Sequence, residues 1–496
     1  MIALGIDAGS SSVKCALVDI STGKTLVVSR YPEQEMEIHC PHPGWAEQNP
    51  EDWWDFTCEA ISRAFDLANI SPGHIKCIGI GYQMHGLVLV DRAGYPVRPS
   101  IIWCDSRAVA CGDTLADNLP AGIMDHNLLN HPGNFTAAKL KWVKENEPEQ
   151  YKRTHKVLLP GDYLSYKMTG VFTTTWSGLS EGIWFDFKKQ NVSPDVMAAG
   201  DFDESLIPHA GGCFETICMT HEDFHQLTGI MPGTPVSYRA GDQPTNAFSL
   251  GVLQPGQAAA TGGTSGVVYV VSDAPHGNIQ AGFNTFLHVN HAPGQMRLGN
   301  LLCINGTGIM YKWLKNQAFQ GLSYDDMEAE AAACNAGSDG LICLPFGNGA
   351  ERMLLNQNTG ASFLGLDVNR HTRGHMARAV LEGIAFAFAY GMERMAAAGV
   401  AVHSLRTGHD NMFRSSVFSA ALSDISGIPI DIYETTGAAG AAMGAAHGAG
   451  LIPTLDSISG IMAPVAHIEP KPAAEALIQN YTHWKKALIS IMSLAD

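Results

Sequence analysis

The apolar positions of the chain fall into short uninterrupted runs punctuated by polar turns, and only later into helical stripes. Residues 2–6 run apolar into Asp7-Ala8-Gly9-Ser10-Ser11-Ser12, and Val13–Val18 runs back out with Lys14 as its one charge. Short apolar runs bounded by Gly, Ser and Asp predict two strands joined by a tight turn, and 25–30 predicts a third. Residues 257–271, QAAATGGTSGVVYVV, repeat the plan around Thr261–Gly266. Such a repeat half a chain away predicts a duplicated domain whose two turns face each other across a cleft.

The intervening stretches alternate strands with helices. A helix is predicted over 50–67, with Asn49 as its cap, Pro50 in its first turn, and Trp53, Trp54, Ala60, Ile61 and Ala64 facing inward. Residues 75–82 predict a buried strand ending in Gln83-Met84-His85-Gly86. An apolar strand from Ser100 ends in Trp103-Cys104-Asp105-Ser106-Arg107, followed by a helix to about 117, and another helix is predicted over 133–147. Residues 172–187 predict a hairpin about Gly178. Val236–Ala240 predicts a strand leading to Gly241-Asp242-Gln243-Pro244 and a helix over 244–251. Ligands in α/β sheets are met at strand ends beside a cleft, which places Asp242 at the base of the presumed one. Further helices are predicted over 305–317, 323–335, 373–399, 413–426, 437–449 and 471–492. The Ala-Gly-rich helix from Gly437 must pack very closely against a neighbour.

Composition narrows the chemistry. With 496 residues, 46% apolar and 16% charged, the chain can bury large cores and divide into two or three domains. A net charge of −17 with no basic run argues against a nucleic-acid partner. An anionic ligand remains compatible, because backbone N–H groups, helix N-termini and a metal ion can hold phosphates. The three hydroxyls after Gly9 lie beside closely spaced N–H groups suited to phosphate oxygens, and Asp7 is placed for a divalent cation. Eleven cysteines, an odd number without a Cys-x-x-Cys pair, suit reduced thiols in a cytosol. A start directly in a strand, without a charged-then-apolar leader or a bilayer-length apolar run, leads us to expect a cytoplasmic protein away from membranes.

Two catalytic-looking motifs lack their context. His221-Glu222-Asp223-Phe224-His225 has the spacing of a zinc-protease helix, yet Gly229 and Pro232 end the helix within about a turn. Gly178-Leu179-Ser180-Glu181-Gly182 has the form of a hydrolase nucleophile turn, but both flanks read as strands, which makes Ser180 a hairpin-turn hydroxyl. Neither a Gly-x4-Gly-Lys phosphate loop nor a Gly-x-Gly-x-x-Gly dinucleotide fingerprint occurs in the chain.

Five stretches taken in order carry a resemblance. They are Gly5-Ile6-Asp7-Ala8-Gly9-Ser10-Ser11-Ser12-Val13-Lys14, Gln83-Met84-His85-Gly86, Trp103-Cys104-Asp105-Ser106-Arg107, Gly241-Asp242 and Gly262-Gly263-Thr264-Ser265-Gly266. Residues 43–48 (PGWAEQ) and 135–140 (FTAAKL) add to them. Over nearly its whole length the chain resembles the FGGY carbohydrate kinases. The resemblance implies an α/β protein of two actin-like, ribonuclease H-like domains flanking a deep catalytic cleft. Residues 1–249 would carry the sugar and the first phosphate and magnesium hairpin, and residues 250–496 would carry ATP.

By that resemblance Asp242 takes the proton of the sugar hydroxyl, and Asp7, with Asp242 beside it, acts on Mg²⁺ through water. Gly9, Ser10, Ser11, Ser12 and Lys14 of the first hairpin, Gly262, Gly263 and Thr264 of the second, and Gly408 and Asn411 would contact ATP. Gln83, Met84, His85, Trp103, Asp105, Arg107, Asp242 and Gln243 would contact the sugar. Met84-His85 matches family members that act on ketopentoses, whereas glycerol kinases carry Arg-Glu there. The expected reaction is therefore D-xylulose to D-xylulose 5-phosphate. Placed at a helix start, the Asp242 carboxylate is expected to stay ionised.

The chain departs from the family at two places. Gln243 stands where Asn is common, and Thr407-Gly408-His409-Asp410-Asn411 replaces a run of three glycines; Gly437–Gly440 offers a second close backbone approach. These departures keep three other readings open: a kinase for D-ribulose, L-xylulose or a deoxyketose, an actin-like ATP-dependent switch, and a sugar-binding pseudokinase. A homodimer is expected only by family analogy.

Overall fold

Each of the two polar-turn hairpins seeds a sheet. The structure, a computed structural model, describes residues 1–455, 457–458 and 463–494. In the first half, Ile2–Ala8 pairs antiparallel with Val13–Asp19, which pairs antiparallel with Thr25–Tyr31. On the other side of Ile2–Ala8 lie Ile75–Tyr82 and then Pro235–Gly241, both parallel, with Cys218–Met219 at the edge. The second half repeats the order. Gln257–Gly262 pairs antiparallel with Gly266–Ser272, followed by Leu298–Ile304 and the edge strand Asn284–Leu287. Parallel strands Ser404–Gly408 and Ile430–Tyr433 continue on the other side, with Ala466–Ile468 closing the sheet. Two sheets of one plan in one chain make the actin-like, duplicated α/β fold that the hairpins predict.

Register places the site. Ala8, Tyr82 and Gly241 stand in one row across three strands. The chain therefore leaves the sheet at Gly9, Gln83 and Asp242 together, at one rim.

The helix Pro50–Ala68 begins as its sequence predicts, with the Asn49 side chain accepting from Glu51 N, and ends at Asn69 in the left-handed region. It buries Trp53, Trp54, Ala60, Ile61 and Ala64 against the first sheet. Each large apolar side chain so buried stabilises the fold by about 1.5–3 kcal/mol.

The helix Gly437–Gly448 packs as closely as its composition requires, and its partner is the sheet of the other half. A Cβ on Gly5 would lie 1.8 Å from the Ala438 carbonyl oxygen, and one on Gly79 would lie 2.0 Å from that of Ala441. Within the helix, a Cβ on Gly440 would meet Ser249 and one on Gly444 the ring of Tyr238, each at 2.5 Å.

The expected hairpin over 172–187 is absent. Thr173–Thr175 is a strand that pairs parallel with His209–Gly211, and Trp176–Glu181 is a helix. The Thr175 hydroxyl accepts from Gly178 N at 3.0 Å, so the last threonine of a β-favouring run serves as a helix cap. Nearly every residue there is buried, which erases the alternation that separates strand from helix. The strand from Ser100 is also shorter than expected and stops at Ile101. Around His221, a short helix Glu222–Thr228 forms with the His221 imidazole as its cap, while His225 Nδ1 lies 3.1 Å from the Ile230 carbonyl.

Side chains of the first half close the free edge of the second sheet. Asn130 accepts from Thr285 N at 3.0 Å and donates to Thr285 O at 2.5 Å. Leu287 N donates to Ser180 Oγ at 2.8 Å, and Ser177 Oγ donates to Leu287 O at 3.0 Å. Ser180 is thus a bridging hydroxyl between the halves, where the sequence suggested a turn. Among the described residues no helix is long and apolar enough to cross a membrane, and all eleven cysteines are free thiols.

Candidate active site

The row of strand ends brings the expected residues to one floor. Asp242 is the first residue of the helix Asp242–Ser249, directly after the strand Pro235–Gly241. It keeps a water-reachable face, yet protein surrounds it so closely that burial, with Asp7 facing it, pushes its carboxyl up to about 7. The N–H groups of Asp242 and Gln243 pull the other way and do not prevail. Burial and a second acid thus oppose the helix start, which alone would favour the ionised carboxylate. Asp7 is likewise raised by burial, opposed by Lys14, its partner across the hairpin.

Of the residues expected to contact the sugar, Gln83 and Met84 are buried and His85 is partly exposed. Gln83 Nε2 donates to Gln48 Oε1 at 3.1 Å, and Gln48 Nε2 donates to the Ser10 carbonyl at 2.7 Å. The strand end is thus tied to the first hairpin. Gln83 Oε1 is buried with no hydrogen-bond partner among the described residues. The His85 ring meets Phe135 edge-on at 4.7 Å and Phe286 of the second sheet at 5.3 Å. Trp103 is 53% exposed and donates from Nε1 to Ser10 Oγ at 3.3 Å.

Asp105 and Arg107 are placed differently. Arg107 donates to Asp105 Oδ2 from Nε at 2.8 Å and Nη2 at 2.7 Å, and to Glu47 Oε1 from Nη1 at 2.7 Å. Ala46 N also reaches Asp105 Oδ2, at 2.6 Å, and the Arg107 guanidinium lies 3.7 Å from the Trp45 ring centre. With side-chain exposures of 0% and 1%, these two groups form a closed, paired wall rather than an open face.

The second hairpin opens on a cavity of about 560 Å³ lined by Gly262, Gly263, Thr264, Gly308 and Asn411. Gly308 N and Ile309 N, at the start of the helix Gly308–Ala318, donate to Gly263 O at 3.0 Å and Thr264 O at 3.1 Å. A Cβ on Gly308 would lie 2.3 Å from Gly263 O, so only glycine permits this seat. Gly408 ends its strand beside the cavity wall, and Asn411 takes a left-handed φ of 50° within it. In the first hairpin, Gly9 N donates to Ser12 O at 3.1 Å, Ser12 is buried, and Ser11 and Lys14 are exposed. Gly9 itself does not take a positive φ.

Sequence reasoning missed part of the cavity wall: Tyr311, Lys312, Tyr324, Glu328, Arg414 and Ser415 also line it. Glu328 accepts from Ser415 Oγ at 2.7 Å, Ser416 Oγ at 3.0 Å and Val417 N at 3.0 Å, fixing the start of the helix Ser416–Ser426. These residues come from separate helices that only tertiary packing assembles, so no local signal marks them.

The donors suit a hydrated magnesium ion. Among the described residues no group of three or more His, Cys, Asp or Glu side chains could enclose a metal. The pair Asp7 and Asp242 offers oxygen donors only, and its raised proton affinity is what a nearby dication would relieve. The cavity is roomy enough for a nucleotide.

Comparison with known proteins agrees with this geometry. The model of the FGGY family of carbohydrate kinases, N-terminal domain, matches residues 2–249, and that of the C-terminal domain matches residues 258–450. The chain is 31% identical to the xylulose kinase of Escherichia coli K12 over 444 residues, covering 89% of this chain and 88% of that one. It is 28% identical to the xylulose kinase of Bacillus subtilis over 404 residues, covering 81% and 79%. The crystal structure of xylulose kinase from Rhodospirillum rubrum superposes with a TM-score of 0.89 at 26% identity, covering 100% of this chain and 99% of that one. Matching on both halves, with one strand plan repeated around a carboxylate-floored cleft, shows that this chain is a member of the FGGY family of carbohydrate kinases.

Proposed function

We propose that the chain phosphorylates a ketopentose, D-xylulose to D-xylulose 5-phosphate, with ATP and Mg²⁺. The observation that carries this reading is the single row that sets Asp242 beside Gln83-Met84-His85 and faces it with Asp7. The relatives named xylulose kinase support the choice of sugar. Residues up to 249 form the sugar-side domain and residues from 250 the nucleotide-side domain.

Bound ATP with Mg²⁺ supplies the transferable phosphoryl group. Asp242 holds the attacking hydroxyl by a hydrogen bond and receives its proton, and a loose transition state asks little prior deprotonation of it. Gln83, Met84, His85, Trp103 and Gln243 form the sugar pocket, with Asp105 and Arg107 as its rigid backing. Asp7 and Asp242 hold the metal's water shell. The N–H groups and hydroxyls of Gly9, Ser10, Ser11, Ser12, Gly262, Gly263 and Thr264 hold phosphate oxygens, with Lys14, Gly408 and Asn411 at the edge of the nucleotide. Gln243, one methylene longer than the residue common in the family, sets which epimer fits.

ADP release measured with Mg²⁺ and ATP over a panel of ketopentoses, polyols and aldoses tests the reading, against a no-sugar blank and Asp242→Ala. D-Xylulose should give a response that the variant loses. A response to another sugar would transfer the substrate to that sugar, and no response above the blank would remove the kinase reading.

A further inference from the structure

His85 is a non-glycine residue in the left-handed region, with φ of 62°. Such a backbone persists only where its surroundings hold it. Two titratable side chains with no part in the phosphoryl transfer do the holding. Glu181 Oε1 accepts from His85 N at 3.3 Å, and the Glu181 main-chain oxygen lies 3.1 Å from His85 Nδ1. Lys139 Nζ donates to the His85 carbonyl at 2.8 Å and to the Ile102 carbonyl at 3.0 Å. Glu181 is 1% exposed and Lys139 0% exposed. Neither forms an ion pair within 4.0 Å among the described residues.

The Glu181 carboxyl also fills the corner between the strand ends that carry His85 and Asp242. A Cβ on Gly241 would lie 2.7 Å from Glu181 Oε2 and 2.4 Å from Met84 Cγ. Burial first, and then Asp242 and Asp162, hold the Glu181 carboxyl well above the ordinary carboxylate range. Burial lowers Lys139 to about 7.

A carbonyl oxygen accepts and never donates, so the contact to Glu181 O requires a hydrogen on His85 Nδ1. A neutral imidazole with its hydrogen there leaves Nε2 as an acceptor. We propose that Glu181 and Lys139 are positioning residues: their side chains hold the His85 backbone so that its Nδ1–H meets the Glu181 main-chain oxygen, which fixes the neutral Nδ1–H tautomer and presents Nε2 as the acceptor for one sugar hydroxyl. The sugar contact rests on the ketopentose reading above; the tautomer itself does not.

The test uses the full chain with ring-¹⁵N histidine, the His85 signal being identified by its loss in His85→Asn. In sugar-free wild type, two-bond ¹H–¹⁵N spectra at pH 7 should show Nδ1 protonated and Nε2 bare. Glu181→Leu and Lys139→Met should mix the tautomers and raise the KM for sugar about tenfold, the worth of one hydrogen bond, with the KM for ATP unmoved. Glu181→Gln, which keeps the acceptor, should restore both readings. An Nε2–H tautomer or an imidazolium in wild type overturns the proposal whether or not any variant folds. So does an unchanged tautomer with an unchanged sugar KM in Glu181→Leu. If the tautomer is as expected but D-xylulose is not phosphorylated, the substrate reading fails and the positioning stands. If D-xylulose is phosphorylated and the tautomer is wrong, only the positioning fails.

Discussion

Gln83 donates its side-chain amide to Gln48 at 3.1 Å, and through Gln48 the strand end at Tyr82 is joined to the first hairpin. Gln48 also accepts from Trp53 Nε1 at 3.1 Å and donates to the Glu37 carbonyl at 3.3 Å, so its amide is fully engaged in the core. Gln48→Leu leaves Gln83 and the Ser10 carbonyl without this partner, and an unpaired buried polar group costs about 1–3 kcal/mol. Both substrates should bind more weakly in that variant, with each KM rising about tenfold. Steady-state kinetics in which kcat alone changes would show that the amide does not couple the two sites.

Asp242→Asn keeps the shape of the floor and removes the proton acceptor. Turnover should fall roughly 10²–10⁴-fold, the worth of a general base, with little effect on nucleotide affinity. Near-normal turnover beside a matched calorimetric titration of ADP would take Asp242 out of the mechanism.

The same carboxyl makes stability depend on pH. Its value rises from 3.8 to about 7 on folding, so between these values the folded chain holds a proton that the unfolded chain has lost. Its stabilising contribution is complete below about 3.8 and is lost as pH rises through about 7. Without divalent cations, the melting temperature of wild type relative to Asp242→Asn should therefore fall between about pH 4 and 7. Mg²⁺ should restore part of the loss at alkaline pH. A difference that does not vary with pH would contradict burial as the cause.

Gly79→Ala should destabilise the chain although alanine ordinarily suits a strand better than glycine. Its Cβ would fall 2.0 Å from the Ala441 carbonyl oxygen, a backbone atom that cannot rotate aside. Overpacking of this kind costs about 1–3 kcal/mol or more. An unchanged denaturation midpoint would mean that the helix Gly437–Gly448 can be lifted from the sheet.

Local chemistry made much of this fold readable. The Asn49 cap, the paired hairpins and the Ala-Gly helix each follow from residues adjacent in sequence, and the structure has all three. Asp7, Asp242 and Met84-His85 are singled out in the sequence by strand ends taken together with the family resemblance, and the structure brings them to one rim. Trp176–Glu181 was misread because wholly buried segments carry no period. Glu181 and Ser180 were set aside with a hydrolase-like motif, yet one abuts His85 and the other pairs with Leu287 across 107 residues. The proton affinity of Asp242 is only partly legible for a similar reason: the helix start is written in the sequence, whereas burial and the facing Asp7 appear only on folding.

In the chain the helix Gly437–Gly448 lies between two strands of the second sheet, Ile430–Tyr433 and Ala466–Ile468, but it is seated on the first. Its carbonyl oxygens occupy the places that Cβ atoms of Gly5 and Gly79 would need, and a Cβ on its own Gly437 would stand 3.1 Å from Asp7 Oδ2. Contacts that close leave no slack for gliding along the sheet. The helix behaves as a post planted in one wall, with the strand Ile430–Tyr433 of the second sheet tied to its head by the short stretch 434–436. Any movement of the two halves that preserves these contacts leaves Asp7 and the head of the post together.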